Sequence, residues 1–344
     1  MKNIKALWPI FLLIIFLGGC AAPPPAEQKT ANPVTPADPP GAHREPLPPG
    51  TPFRFTVGSD SRPNWLRRAA FQWTLQEMNR LVGGEGAFFI MVGDFDPPQV
   101  TDADLRTALG QDVIWYPVVG NHDAETPADM AWIRSRFEHL PFVVRHGPPG
   151  CETTTYSFDY GSAHFVVLNE YFTGRDDHSG KGDVCDALYN WLKADLEATR
   201  QPVIFVAGHE PAFPRRRHVG SSLDANTAHR DRFWKLLNER GVVAYFSGHT
   251  HFYGRMQQAP VGGPATTWQV DTGNTGQGRP MTFLDVTVTN TAVIFDAYSG
   301  MPGRAFNKID TWTVPIEAEA GPVETSAIES PGAEGVDALQ LLSQ

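Results

Sequence analysis

Short apolar segments alternate with amphipathic segments through the middle of the chain. Five apolar segments rich in Val, Ile and Phe predict strands that are buried on both faces. These strands cover residues 53–58, 87–93, 113–120, 203–208 and 242–248. Apolar residues at near-helical spacing predict helices between and after them. The predicted helices cover residues 65–81, 102–109, 128–140, 187–199 and 229–240.

Two further pairs of segments predict β-hairpins, at residues 154–169 and 283–297. Strands that alternate with helices are typical of layered α/β proteins. Hairpins beside strand–helix–strand units favour two mixed sheets over one fully parallel sheet. The sequence therefore predicts an α/β fold, a two-sheet β-sandwich flanked by helices.

The N-terminus has the pattern of a bacterial lipoprotein signal. Lys2 and Lys5 precede an apolar run over residues 10–17, which is followed by Gly-Gly and Cys20. This order is typical of secretory signals, and the sequence LGGC resembles a lipobox. Cleavage would leave Cys20 as an acylated N-terminus that anchors the protein to a membrane surface. An uncleaved span is the alternative, but the run is shorter than the ~20 residues that a span needs.

The chain on either side of the predicted folded domain, residues 51–313, differs from it in composition. After the signal, residues 1–19, the segment 20–50 contains ten prolines and predicts an extended tether. Residues 314–344 contain six acidic residues and no Lys or Arg, which predicts a disordered acidic tail. Together with the lipid anchor, this organisation predicts a location in the bacterial cell envelope, in the periplasm or on the outer membrane.

Charge and cysteine content narrow the possible partners. The formal net charge of −10 argues against a nucleic-acid partner. The basic run at residues 215–218 either presents positive charge to an acidic substrate or is a solvated loop. In an oxidising envelope, Cys151 and Cys185 can form a disulfide that closes a loop of about 35 residues. Two buried free thiols are the alternative.

Each of the five predicted strands ends in glycine followed by polar residues. In chain order the strand exits read GSDSR, GDFD, GNHD, GHEP and GHTH. Ligands gather outside the carboxyl ends of strands in open α/β sheets, and glycine allows both a tight turn and a close approach. Five exits that carry Asp, Asn and His therefore predict one shared metal site.

These motifs resemble those of the calcineurin-like metallophosphoesterases, a family that includes purple acid phosphatases and many bacterial phosphodiesterases. GNHD and GHTH are the most specific parts, and the resemblance covers most of residues 53–298. It implies a β-sandwich with a dinuclear metal site at the carboxyl ends of the strands.

The resemblance implies six metal ligands. Asp94 would bridge both metals, because a carboxylate has two anionic oxygens that can face different cations. His249 and His251 point to the same side if the chain there is extended. Mixed imidazole and oxygen ligands suit Mn, Fe, Zn, Co or Ni better than Ca or Mg. One metal would take Asn121, His209 and His249 besides Asp94, and the other would take Asp60, Asp94 and His251.

The two divalent metal ions imply hydrolysis of a phosphate ester. Such pairs, ~3.5–4 Å apart, clamp the phosphoryl oxygens and lower the pKa of a bound water, so that hydroxide can attack phosphorus. His122 would protonate the leaving alcohol or stabilise its charge. Asp123 would orient His122.

Arg62 departs from the family pattern. The first motif of the family is usually Asp-x-His, and arginine cannot replace histidine as a ligand because it stays protonated. Water could fill the vacant place and leave a weaker first site, Asp96 could substitute, or the centre could hold one metal. Arg62 could instead grip a phosphate oxygen or pair with a nearby carboxylate. The tyrosine that purple acid phosphatases carry three residues after the bridging aspartate is also missing, since Pro97 stands there.

Two functions follow from these residues. The first is a metal-dependent phosphoesterase, anchored to the cell envelope, that hydrolyses small phosphomonoesters or phosphodiesters by attack of a metal-bound hydroxide. The alternative is a catalytically inactive binding or structural module of the envelope with the same fold, which the replacement at Arg62 suggests.

Overall fold

The apolar segments of the chain form two mixed β-sheets in the computed structural model, which describes residues 47–316 except 49, 65, 84 and 85. The first sheet has six strands in the order β13-β12-β11-β1-β2-β3, and the second has seven in the order β4-β5-β6-β7-β8-β10-β9. The strands are β1 Phe53–Gly58, β2 Gly86–Val92, β3 Trp115–Val118, β4 Val143–His146, β5 Tyr156–Tyr160, β6 Ala163–Val167, β7 Val203–Ala207, β8 Ala244–Ser247, β9 Tyr253–Gln257, β10 Trp268–Thr272, β11 Met281–Val288, β12 Ala292–Gly300 and β13 Asn307–Pro315.

The strands that precede the polar motifs run parallel within each sheet. β1, β2 and β3 pair in parallel in the first sheet, and β6, β7, β8 and β10 do so in the second. The remaining pairs are antiparallel and include both predicted hairpins, β5–β6 and β11–β12. The parallel pairing places the carboxyl ends of β1, β2 and β3 together, and likewise those of β7 and β8.

The two sheets pack face to face through alternate side chains of their strands. Phe55 of β1 is fully buried, and its ring centroid lies 5.1 Å from that of Phe165 on β6 and 5.3 Å from that of Phe205 on β7. Edge-to-face contacts of this kind add to the free energy gained by removing aromatic surface from water. The core of the domain therefore lies between the sheets.

Helices cover the outer face of each sheet. α1, α2 and α4 pack on the first sheet through residues such as Leu75 and Met78. α5 and α6 pack on the second sheet through residues such as Leu192 and Phe233. The predicted two-sheet sandwich flanked by helices is confirmed. The helices are α1 Arg68–Val82, α2 Pro98–Leu109, α3 Asn121–Ala124, α4 Pro127–Arg136, α5 Asp186–Ala198 and α6 Thr227–Glu239.

The structure adds edge elements that the hydrophobic pattern does not predict. β4, β9 and β13 lie at sheet edges and are largely exposed or half-buried, so their sequences lack the apolar runs that mark the central strands. β13 continues to Pro315, beyond the predicted domain boundary at residue 313. Leu47, inside the predicted tether, packs against the sandwich core.

The predicted signal, Cys20, most of the tether and the tail beyond residue 316 lie outside the described residues. Among the helices that the structure describes, none combines the length and the apolar composition needed to cross a bilayer. The location in the cell envelope therefore stays a prediction.

Cys151 and Cys185 are both free thiols in the structure, and their pairing stays a prediction. Cys151 is buried among the apolar side chains beneath α5, and this burial raises the pKa of its thiol to about 12. Cys185 is only half-buried. Only one of the two thiols is thus buried, in contrast to the alternative of two buried thiols.

His164 is a buried cation clamped between two carboxylates. Its Nδ1 lies 2.6 Å from Asp159 Oδ1, and its Nε2 lies 2.9 Å from Asp195 Oδ2. Burial alone would lower the pKa of His164, but the hydrogen bonds to both carboxylates outweigh it and raise the pKa to about 9. A protonated imidazole can donate from both nitrogens, which satisfies this geometry.

Replacing His164 by glutamine should therefore destabilise the protein in a pH-dependent manner. The raised pKa means that the contribution of His164 is complete below its unfolded pKa of about 6.5 and is lost as pH rises through 9, with an upper limit of about 3 kcal/mol. Chemical denaturation of both proteins between pH 6 and 10 measures the difference. His139→Gln, at an exposed histidine, is the control. A difference that is constant with pH would contradict the charged state.

Candidate metal centre

The carboxyl ends of the parallel strands bring predicted ligands together. Asp60 follows β1, Asp94 follows β2 and His209 follows β7, and one ligand atom from each lies within 4.8 Å of the others. His251 Nε2 lies 3.1 Å from Asp60 Oδ1. The rings of His209 and His249 are 5.1 Å apart. Strands from both sheets thus contribute to one site.

Tight, left-handed turns carry most of these side chains. A positive φ costs a non-glycine residue about 1–3 kcal/mol, so the surroundings must hold it in place. One such contact is the hydrogen bond of 3.0 Å from the His249 backbone N–H to Asp60 Oδ2. The φ angles are 53° at Asp60, 55° at Asp94, 66° at His249 and 64° at His251. Because both histidines have positive φ angles, the chain at His249 and His251 is not extended, in contrast to the prediction.

Gly93 shows why glycine precedes a ligand. Its φ is 79°, and a Cβ atom at this position would overlap the ring of His209. The exit of β2 can therefore approach the exit of β7 only without a side chain at this position.

The buried acceptor atoms at the site that have no hydrogen-bond donor among the described residues include His209 Nε2 and Asn121 Oδ1. His209 Nδ1 lies 2.8 Å from the carbonyl oxygen of Val92 and must donate to it. In the neutral imidazole, Nε2 then carries a lone pair, and this atom faces Asp94 Oδ1 at 3.4 Å. Two facing acceptors repel each other unless a cation lies between them. The donor set thus fits a bound metal ion.

The pKa values of the site agree with this fit. Burial, followed by the nearby charge of Asp60, raises the pKa of Asp94 to about 7. Burial opposes ionisation of Asp60 as well, but its hydrogen bond with His251 helps to lower its pKa. Burial and the neighbouring His209 lower the pKa of His249 to about 2, so its imidazole is neutral and able to bind metal. A divalent cation would relieve the repulsion between the two carboxylates.

Comparison with known proteins identifies the family. Residues 62–253, more than half of the chain, match the sequence profile of the calcineurin-like phosphoesterases. The chain belongs to the calcineurin-like phosphoesterase family. The family predicted from the strand exits is thereby confirmed.

Among its relatives are purple acid phosphatases. The chain is 31% identical to purple acid phosphatase 23 of Arabidopsis thaliana over 144 residues, which is 41% of this chain and 29% of that protein. It is 24% identical to purple acid phosphatase 17 of the same plant over 238 residues, 60% of this chain and 68% of that protein. The chain thus spans less than a third of the first relative.

A solved structure shares the fold. The purple acid phosphatase PPD1 from yellow lupin (Lupinus luteus) seeds superposes with a TM-score of 0.58 at 15% identity, over 78% of this chain and 55% of that one. At this identity the likeness shows the fold alone.

His122 of this calcineurin-like phosphoesterase lies beside the predicted ligands, but the residue that contacts its imidazole differs from the prediction. Its Nδ1 lies 3.0 Å from Glu125 Oε2, and its Nε2 lies 3.9 Å from Asp94 Oδ2. Both residues lie at the short helix α3, where three residues of separation bring side chains together. Glu125, and not Asp123, therefore contacts the imidazole.

Asp123 holds the backbone of the site instead. Its buried carboxylate accepts hydrogen bonds from the backbone N–H groups of Gly120 (2.8 Å), Asp94 (2.8 Å) and Phe95 (3.0 Å). It therefore ties the exit of β3 to the exit of β2. Asp123 positions Asp94, and the predicted orientation of His122 by Asp123 is not found.

Arg62 stands where the family usually has a ligand histidine, and it pairs with Asp96. Arg62 Nε lies 2.8 Å from Asp96 Oδ1, and its Nη2 donates to Asp96 Oδ2 at 3.2 Å. This is the predicted alternative of a pairing with a nearby carboxylate. The same ion pair occupies the carboxylate of Asp96, which the sequence suggests as a substitute metal ligand. Arg62 also lines the cleft above Asp94, where its guanidinium can contact a phosphate.

Several cleft residues follow none of the strand-exit motifs. Arg217 Nη1 lies 2.6 Å from His251 Nδ1, and the ring of His218 lies 3.9 Å from that of His249. The basic run at 215–218 gives a sequence signal for both. Arg67 and Gln277 also line the cleft, and no motif marks either of them.

Proposed function

We propose that this chain is a metal-dependent phosphoesterase that hydrolyses small phosphomonoesters or phosphodiesters. The observation that supports the proposal is the group of ligand atoms from Asp60, Asp94 and His209 within 4.8 Å of one another. The group opens into a cleft of about 360 Å³ that is also lined by His122. Membership of the calcineurin-like phosphoesterase family agrees with it.

The residues fit two divalent transition-metal ions. Asp94 would bridge them, with Asn121, His209 and His249 on one side and Asp60 and His251 on the other. The chemistry that such ions supply when bound is neutralisation of the phosphoryl oxygens and increased acidity of a coordinated water. Mn, Fe, Zn, Co and Ni all accept mixed imidazole and oxygen ligands of this kind.

His122 can donate a proton to the leaving group. Glu125 accepts a hydrogen bond from Nδ1, which leaves Nε2 directed away from Glu125, and the side chain is 30% exposed at the cleft. A proton on Nε2 can then move to the leaving alkoxide as the P–O bond breaks. The products are an alcohol and inorganic phosphate from a monoester, or an alcohol and a monoester from a diester.

Anchoring to the cell envelope through Cys20 is part of the proposal and rests on the LGGC sequence alone. In this arrangement the catalytic domain would act on substrates outside the cytoplasm. The labelling of the protein with a radioactive or clickable fatty acid in cells, and its loss in Cys20→Ser, tests the anchor.

A second function, an inactive module with the same fold, is favoured by one observation. Arg62 replaces a ligand, and its ion pair with Asp96 occupies the nearest alternative carboxylate. Metal content separates the two functions, because a catalytic dinuclear centre requires about two ions per chain.

We therefore expect the purified chain to hydrolyse p-nitrophenyl phosphate, bis(p-nitrophenyl) phosphate or both after loading with Mn, Fe, Zn, Co or Ni. Release of p-nitrophenol and metal content by mass spectrometry are measured on the same sample. Chelation should abolish turnover, and addition of the metal should restore it. A folded protein without turnover of either ester under any metal, holding one ion or none, would favour the inactive module.

A further inference from the structure

Among the residues that the structure describes, ten line the cleft above the metal centre, and none of these ten is apolar. Asp94 is the one carboxylate among them and is already assigned to metal. Three are arginines: Arg62, Arg67 and Arg217. Such a lining offers hydrogen-bond donors and positive charge, and it offers no apolar surface for a hydrophobic leaving group. The cleft is therefore suited to a small substrate with more than one anionic group.

Arg67 combines partial burial with a charge that is not paired with any described carboxylate, whereas Arg217 is exposed. Its Nη1 donates to the neutral amide oxygen of Gln277 at 3.3 Å. Within the described residues no carboxylate lies within ion-pair distance of it, whereas Arg62 is paired with Asp96. Arg67 is also half-buried, where a positive charge is screened less by solvent.

Gln277 provides a second donor beside Arg67. Its amide oxygen accepts from Arg67, and arginine cannot accept, so this contact fixes the orientation of the amide. The amide nitrogen Nε2 is then directed elsewhere, and it is buried without a partner among the described residues. The backbone N–H of Gln277 donates to the carbonyl oxygen of Asp60 at 3.1 Å. Gln277 therefore holds this pair of donors next to a predicted metal ligand.

We propose that Arg67 and Gln277 form an anion subsite that binds a second anionic group on the leaving part of the substrate. The preferred substrate class is then a small phosphomonoester whose alcohol carries a carboxylate or a second phosphate. The subsite rests on the proposed phosphoesterase function, because the scissile phosphate must lie at the metal centre. Water cleaves the P–O bond to give phosphate and the alcohol, and the second anionic group leaves unchanged.

Two substrates that differ by one group test the subsite. Glycerol 1-phosphate and 3-phosphoglycerate have the same carbon skeleton, and the second carries a carboxylate where the first has a hydroxymethyl group. We expect the metal-loaded chain to favour 3-phosphoglycerate in kcat/KM. Arg67→Gln should reduce this preference about tenfold, the scale of a lost charge-assisted hydrogen bond. Gln277→Leu should reduce it by a smaller factor, because the lost donor is neutral.

Arg279→Gln is the matched control. It removes the same charge two residues from Gln277, at an exposed position that does not line the cleft, and it should leave the preference unchanged. If Arg67→Gln and Arg279→Gln reduce the preference for 3-phosphoglycerate equally, the effect is one of long-range electrostatics and the proposed subsite is wrong. Equal losses for both substrates in Arg67→Gln would place Arg67 at the scissile phosphate and would also overturn it.

Binding separates the subsite from the reaction. The Kd of each compound for the metal-loaded chain is measured by calorimetry, together with turnover of p-nitrophenyl phosphate. If turnover is absent but Arg67→Gln still removes the preference in Kd for 3-phosphoglycerate, the proposed function fails and the subsite stands. If turnover is present but the two compounds bind and react equally well, the subsite fails and the proposed function stands.

Discussion

Replacing Asp94 by asparagine is expected to reduce kcat/KM for p-nitrophenyl phosphate by about a thousandfold, the scale of losing a group that stabilises charge in the transition state. Asp94 Oδ1 faces the lone pair of His209 Nε2 at 3.4 Å, and its carboxylate is the predicted bridge between two cations. Asparagine has nearly the same shape but offers one neutral oxygen, so it cannot bridge two cations. The loss should therefore appear in metal content as well as in turnover.

The measurement is kcat/KM together with metal per chain, with thermal unfolding as a check on the fold. Asp96→Asn is the matched control, because it makes the same chemical change at a carboxylate that pairs with Arg62. We expect Asp96→Asn to keep its metal. If Asp96→Asn loses metal instead, Asp96 is the substitute ligand for the missing histidine. Full metal content and near-normal turnover in Asp94→Asn would remove Asp94 from the centre.

The strand exits could be predicted from sequence because each one carries its own signature. A buried strand, a glycine and a polar residue are local features, and the parallel pairing of β1 with β2 and β3 then brings distant exits to one edge. The predicted ligands follow from this rule even though the turns at His249 and His251 are left-handed and not extended. Topology determines which residues meet, and the backbone angle decides only how they reach the site.

The roles of Asp123 and Glu125 could not be predicted in the same way. The sequence places both close to His122, and the choice depends on the one-turn helix α3, which begins at Asn121. In a helical turn, Glu125 comes next to His122, while the carboxylate of Asp123 turns back to the backbone of Asp94. A shift of a few residues in the start of α3 would therefore change which of the two carboxylates, Asp123 or Glu125, contacts His122.

The donors of the anion subsite are beyond sequence analysis for a different reason. Arg67 and Gln277 are separated by 210 residues, and neither belongs to one of the five predicted strand-exit motifs. Their contact depends on how the first turn of α1 meets the loop between β10 and β11. Hydrophobic periodicity gives the element order but not the distance between two loops.

Replacing His122 by alanine should lower kcat by about 10²- to 10⁴-fold for a phosphate ester of an ordinary alcohol, the usual range for loss of a general acid. The metal content should remain that of the wild type, because His122 is not a predicted ligand and its Nε2 lies 3.9 Å from Asp94 Oδ2. The size of the loss should depend on the leaving group. p-Nitrophenolate is stable without a proton, so p-nitrophenyl phosphate should lose much less activity than glycerol 1-phosphate.

The ratio of these two losses tests the role of His122 more strictly than either loss alone. Glu125→Gln keeps the size of the side chain that contacts His122 Nδ1 but removes its charge, so it should weaken the hydrogen bond that positions the imidazole and show the same dependence on leaving group with a smaller amplitude. A role in binding the phosphate would instead lower activity equally for both esters, since the phosphoryl group is common to them. Equal losses with full metal content would therefore contradict proton transfer by His122.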